Sequence, residues 1–192
     1  MFSYKDDLPK ILDYNSHRRP DSKTRLHVEM GPSPYDGDPF AAKVLLLMNN
    51  PGYDPNVSKP ADHELAFNGW PIAGLHPDAP ELFRDWYKRP LGYLLSRYPA
   101  QHISRRVCIL QLCPWASQEF DSNLVLPSRE HQIALARSAA ERGAIVIVGR
   151  SFSIWPQEFP RVHAGHRRNP TLSPKSLDQD TWRRVELAIS DQ

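Results

Sequence analysis

Three stretches of this 192-residue chain place carboxamides where an apolar run gives way to a turn. Asn49-Asn50-Pro51-Gly52-Tyr53 closes the run 44–48, Gln111-Leu112-Cys113-Pro114 closes a second run within 105–115, and Asn169-Pro170 stands in the polar segment 167–174. A carboxamide carries donors and an acceptor on one planar group. It can hold a ligand's polar edge or orient a water, but at neutral pH it does not take a proton. On their own, such turns are equally what an ordinary strand-to-loop connection looks like.

The elements that position these turns read from hydrophobic patterning. Residues 44–48 are apolar without alternation, as in a strand covered on both faces of a parallel sheet. Residues 105–115 repeat that pattern, and 144–149 is the clearest strand because its β-branched residues suit a buried sheet. Residues 161–165 form a weaker fourth strand. Helical spacing runs from residue 80 to 98, with Pro90 expected to kink or split it. A further helix extends from Ser128, read as its N-cap, to Gly143, and a last one follows a Ser176/Gln179 capping box. Residues 8–14 make a short helix with Pro9 in its first turn, whereas 31–39 is a run of turn formers. Alternating strands and helices predict a three-layer αβα sandwich around a four-stranded parallel sheet. Right-handed crossovers would then bring the turns 49–53, 111–115 and 167–174 to one sheet edge, the edge where open α/β sheets bind ligands.

Bulk properties narrow the rest. No linker or repeat divides the chain, which reads as one domain over 1–192 with 1–40 an irregular N-terminal extension packed on it. Twenty-four basic and 22 acidic residues leave a net charge of +2, so any nucleic-acid surface must be a local patch. Nineteen prolines, about twice the usual share, imply stiff irregular loops. No apolar run reaches membrane-spanning length and residues 1–10 lack an apolar signal core, which points to the cytosol and away from membranes. Cys108 and Cys113, five apart on one expected strand, face opposite ways and read as packed thiols rather than a disulfide. His163 and His166 lack a third ligand at suitable spacing, and His63-Glu64 lacks the second histidine of a zinc-protease motif, so neither a metal nor another cofactor is expected.

Taken together, Met48-Asn49-Asn50-Pro51-Gly52, Gln111-Leu112-Cys113-Pro114, Val146-Ile147-Val148-Gly149-Arg150 and Asn169-Pro170-Thr171-Leu172-Ser173 resemble, in order and spacing, the motifs of the uracil-DNA glycosylase superfamily, closest to its mismatch-specific and single-strand-selective branches. The resemblance covers roughly residues 40–190. It departs from the family at Met48, where a glycine is usual, at Gln111, where an asparagine is usual, and in a second motif shorter by its glycine.

The resemblance implies a monofunctional DNA glycosylase that hydrolyses the bond between sugar and uracil, or a related damaged base, flipped out of single- or double-stranded DNA, the protein acting as a monomer in base excision repair. Its site would need a stacking ring, an amide that reads the base, a placed water and donors for the departing anion. By resemblance Asn50 positions the water and Asn169 faces the scissile bond. Asn49, Gly52, Tyr53 and Gln111 would line the base pocket, and Phe67, with Trp70 second, would stack on the base. Leu172 would wedge into the duplex, with Ser173, Arg167, Arg168 and Lys175 on its phosphates. Each has a plainer alternative: Asn50 capping its own turn, Gln111 bonded to a loop, Phe67 anchoring its loop, the cations forming a solvated turn. The rival to the enzyme is a nucleic-acid- or nucleoside-binding protein that keeps the fold without turnover.

Overall fold

The computed structural model describes residues 2–56, 58 and 65–191, so the His63-Glu64 pair lies outside the described residues. Three strands make the parallel heart of the sheet: β2 (Val44–Met48), β3 (Val107–Gln111) and β4 (Ile145–Val148). β2 is central, pairing Val44 with Val107 and with Ile145, so all three strands start level and end along one edge. Every residue in them is buried, which is why they carry no polar alternation.

The fourth strand is a correction. β1 (Tyr35–Asp36) lies in the segment read as turns and pairs antiparallel with β3, so the sheet is mixed, in the order β1-β3-β2-β4. The expected strand at 161–165 contributes only a single bridge, Arg161 to Val148. Two residues held between Pro34 and Gly37 are too short for periodicity to show. Gly37 is needed there because its φ is +105° and a Cβ would sit 2.6 Å from the Val107 carbonyl oxygen.

Alternation within the strands divides the core. Val44, Leu46, Val107, Ile109, Ile145 and Ile147 face α2 (Glu81–Leu95), α3 (Ala100–Arg106) and α5 (Gln179–Ser190). Leu45, Leu47, Cys108, Leu110, Val146 and Val148 face α4 (Ser128–Glu141). Helices thus cover both faces of the sheet. Pro90 does not split α2; the carbonyl of Pro90 instead accepts the N–H of Leu172 at 2.8 Å. α5 is capped by Asp178, whose side chain accepts from the Thr181 N–H, rather than by Ser176.

The N-terminal extension is more ordered than expected. α1 (Leu8–Ser16) packs Ile11 against Cys113, Trp115 and Leu126. Asp7, fully buried, accepts from Trp115 Nε1 and from the backbone N–H of Ser128, each at 2.8 Å. A carboxylate from the far end of the chain therefore caps α4, and Ser128 is the first helical residue rather than the cap. Cys108 and Cys113 are both free and buried, and burial pushes the Cys113 thiol up to about 12. No helix among the described residues is long and apolar enough to cross a membrane.

Candidate functional site

The carboxyl edge of the sheet does gather the three turns. The Cys113 N–H donates to the Asn49 carbonyl at 2.7 Å, and a Cβ on Gly149 would meet Pro170 at 3.1 Å. Of their amides, however, only Asn49 and Gln111 line a concavity, and they line two separate ones on either side of the end of β2.

The first is a cleft of about 590 Å³ between β1, the end of β3, the 51–54 loop and α2, a size usual for small-molecule sites. Gln111 closes its floor. Its side chain follows Val107 and Ile109 on the α2 face of the sheet, the residue is 2 % exposed, and Oε1 is buried with no hydrogen-bond partner among the described residues. Its backbone N–H is spent on the Pro34 carbonyl, so the N-terminal extension builds the opposite wall. Asp36 lies across from Ile109 on that wall, on the same sheet face as Gln111. Desolvation pushes the Asp36 carboxyl up to about 6, against the opposing pull of the Tyr87 hydroxyl beside it. Burial first, and Asp36 second, hold the Tyr87 hydroxyl well above its ordinary value, so it remains a donor. Tyr87 reaches this position only because residue 74 is glycine: a Cβ there would lie 2.0 Å from the ring.

Aromatic surface in the cleft comes from Tyr35, Tyr53, Phe83, Trp86 and Tyr87. Tyr53 is at the mouth, with one ring face stacked on His27 at 3.5 Å between centroids. Gly52 lines the cleft as expected, and a Cβ there would meet nothing within 4 Å. Phe67 and Trp70 are corrections. The Phe67 ring stacks on His76 at 4.0 Å, Trp70 packs edge-on against the same imidazole, and neither lines the cleft. Of the rings that do, Phe83 and Trp86 sit one turn apart on α2, where helical spacing read them as core.

Asn50 also stands apart from the cleft lining. Its Nδ2 donates to the Pro51 carbonyl at 2.9 Å and to the Ser117 carbonyl and Oγ at 3.2 and 2.9 Å, so this nitrogen ties the 50–53 loop to the loop after β3. Asn49 turns the other way, and its Oδ1 accepts from Ser151 Oγ at 2.7 Å.

That contact opens the second concavity, a shallow hollow of about 900 Å³ at the ends of β2 and β4. Arg150, Arg161, Arg167 and Arg168 line it, and none of them pairs with a carboxylate among the described residues. Arg161 is braced by the carbonyls of Gln157 and Phe159 at 2.8 Å, Arg167 lies 4.4 Å over the Phe152 ring, and Arg150 donates to the Arg168 carbonyl. Ser151, at φ +52°, is the one non-glycine in the left-handed region among the described residues, a strained turn of the kind that collects at functional edges. Arg150 and Arg161 were not singled out from sequence; the Gly149-Arg150 strand ending was the available signal for the first.

No protein-family profile, curated protein or solved structure matches this chain. What it does therefore rests on the geometry of these two concavities.

In the loop 169–175 the expected roles divide. Asn169 and Lys175 are exposed, as are Arg167 and Arg168, and Asn169 lines neither concavity. Leu172 is a correction: it is fully buried in the core under α2 and cannot enter a duplex from there. Ser173 is another, since its hydroxyl lies within a closed set with Thr171 and Ser176, at 2.9 and 3.1 Å, rather than facing solvent. Among the described residues no group of three or more potential ligands could hold a metal ion.

Proposed function

We propose that the chain is a nucleic-acid hydrolase of the uracil-DNA glycosylase type. In this reading a nucleobase enters the aromatic cleft and meets the Gln111 amide, while the arginine hollow holds the phosphates beside it. The observation that carries the reading is the unpartnered, buried Oε1 of Gln111 in a cleft with aromatic walls. An orphaned acceptor costs about 1–3 kcal/mol, and a ring N–H of a flat ligand would offset that cost. Uracil and hypoxanthine both present such an N–H beside a carbonyl, which suits an amide carrying donor and acceptor. The hollow supports the same reading, because four cations without counter-charges attract a polyanion and fix its register without reading sequence. Asn169, exposed next to Arg168, is available to a bound strand.

The test is release of free base from duplex and single-stranded oligonucleotides carrying uracil, hypoxanthine or thymine opposite guanine, scored as abasic sites. Release that falls with Gln111→Ala supports the enzyme.

One observation favours the rival, a binding protein without turnover: the Asn50 amide nitrogen is committed to its own loop and to Ser117, which leaves only its oxygen to hold a water. Salt-sensitive binding without release of any base would select that reading.

A further inference from the structure

Hydrolysis of an N-glycosidic bond is accelerated by a group that takes a proton from water, and the carboxamides of the three turns cannot do so. The cleft holds a group of another kind. Asp36 and Gln111 stand on the same face of the β1–β3 ladder, Asp36 opposite Ile109 and Gln111 two residues further along β3. Such diagonal neighbours lie about 7–8 Å apart, close enough for both side chains to reach one ligand. Both residues line the same cleft. Asp36 has no ion-pair partner among the described residues, and Tyr87 approaches its carboxyl from the α2 side and favours the charged form.

We propose that Asp36 is the proton acceptor of the aromatic cleft, activating a water against a nucleoside whose base is held by Gln111. This deepens the glycosylase reading and rests on it for the chemical step. The water oxygen bonds to the anomeric carbon as the carbon–nitrogen bond breaks, and the bonding pair leaves on the base. The water's proton passes to the Asp36 carboxylate and then to the departing base anion. The products are free base and a sugar hydroxyl, and the carboxylate is restored. Nothing is oxidised or reduced, and no further reactant is needed.

Asp36 is suited to this because desolvation sets its carboxyl near 6, high enough to accept a proton and low enough to be mostly ionised at neutral pH. Of the titratable groups near it, Tyr87 faces it from α2 and Cys108 lies behind it on the other face of β3, both staying neutral, with Asp38 in its own loop. Asp54, Asp85 and Arg89 are the other charged residues of the cleft lining.

The experiment is a single-turnover rate of base release between pH 4.5 and 8.5, with uracil and hypoxanthine binding measured calorimetrically on the same proteins. For the wild type the rate should climb about tenfold per pH unit below 6 and then level. Asp36→Asn, which copies the protonated shape, should lose about 100-fold or more together with the acid limb, while base binding changes less than about threefold, equivalent to under 1 kcal/mol. Tyr87→Phe removes the donor that stabilises the carboxylate and should move the limb to higher pH. An Asp36→Asn protein that keeps the wild-type rate and pH limb overturns the proposal. Should the wild type release no base at all, the glycosylase reading fails separately. Asp36 is then judged on binding: proton exchange on uracil or hypoxanthine binding that disappears in Asp36→Asn sustains it as the cleft's proton acceptor, and pH-independent binding or none overturns it.

Discussion

The aromatic cleft and the arginine hollow share one edge of the sheet and are divided by the width of a single strand, yet they are built on opposite principles. The cleft is built of rings, a neutral amide with an idle acceptor, and a carboxyl kept from ionising easily. The hollow is built of four cations braced by backbone carbonyls and one ring, with no counter-charge among the described residues. Asn49 and Asn50 form the partition, each side chain spent on a neighbouring loop, one toward Ser151 and the other toward Ser117. Recognition of a flat uncharged group and attraction of an anion are therefore separable tasks here, and substitutions on the two sides should fail in different ways.

The largest effect is expected where a residue belongs to neither side. Leu172→Ala empties a fully buried position under α2 and should cost about 2–5 kcal/mol in urea unfolding; a loss under about 0.5 kcal/mol, a surface-like value, would return Leu172 to the hollow's rim. Next, Gln111→Leu should weaken uracil or hypoxanthine binding by about 10- to 100-fold, or 1.4–3 kcal/mol, while thermal stability holds or rises because an unpaired buried oxygen has gone. Third, the double variant Arg167→Ala/Arg168→Ala should lower the slope of log affinity against log salt by about 2 and leave base preference alone. A changed preference would mean that the two concavities are not separable. The smallest effect concerns pH. The folded-state value of Asp36 lies above its ordinary one, so the stability it contributes is fully present below about pH 4 and is lost as pH rises through about 6. With residual solvent access this is on the order of 1 kcal/mol, or about 2–4 °C in Tm, and Asp36→Asn should remove the trend.

How much of this could be read in the sequence follows from where the information lies. β2, β3 and β4 were legible because strands buried on both faces need uninterrupted apolar runs, and α4 because Ser128 to Gly143 carries a periodic face and a glycine stop. The amide turns stood out by their order and spacing after such runs, since each alone reads as an ordinary strand-to-loop turn. β1 was not legible, since two residues carry no period, and its identity depends on the β3 edge it meets. The cleft's rings were misplaced for a related cause. Phe83 and Trp86 share the α2 spacing that packs a core, whereas Phe67 looked available in a polar loop until His76 proved to cover it. Leu172 illustrates the converse: the resemblance made it a wedge for the duplex, but the chain turns it under Pro90. Asp36 had no local mark at all, because its character is made by Tyr87 and by burial contributed from elsewhere in the chain.

The clasp made by Asp7 has a temporal consequence. Its carboxylate is translated 121 residues ahead of the Ser128 N–H and 108 ahead of the Trp115 indole that it must grip. At ordinary elongation speeds that gap lasts roughly 6–24 s, during which α1 has no docking surface. The leading arm of this domain is thus among the last parts to settle. Since the wall of the cleft hangs from the same arm, a nascent chain acquires its ligand-holding shape only after most of its length has been made.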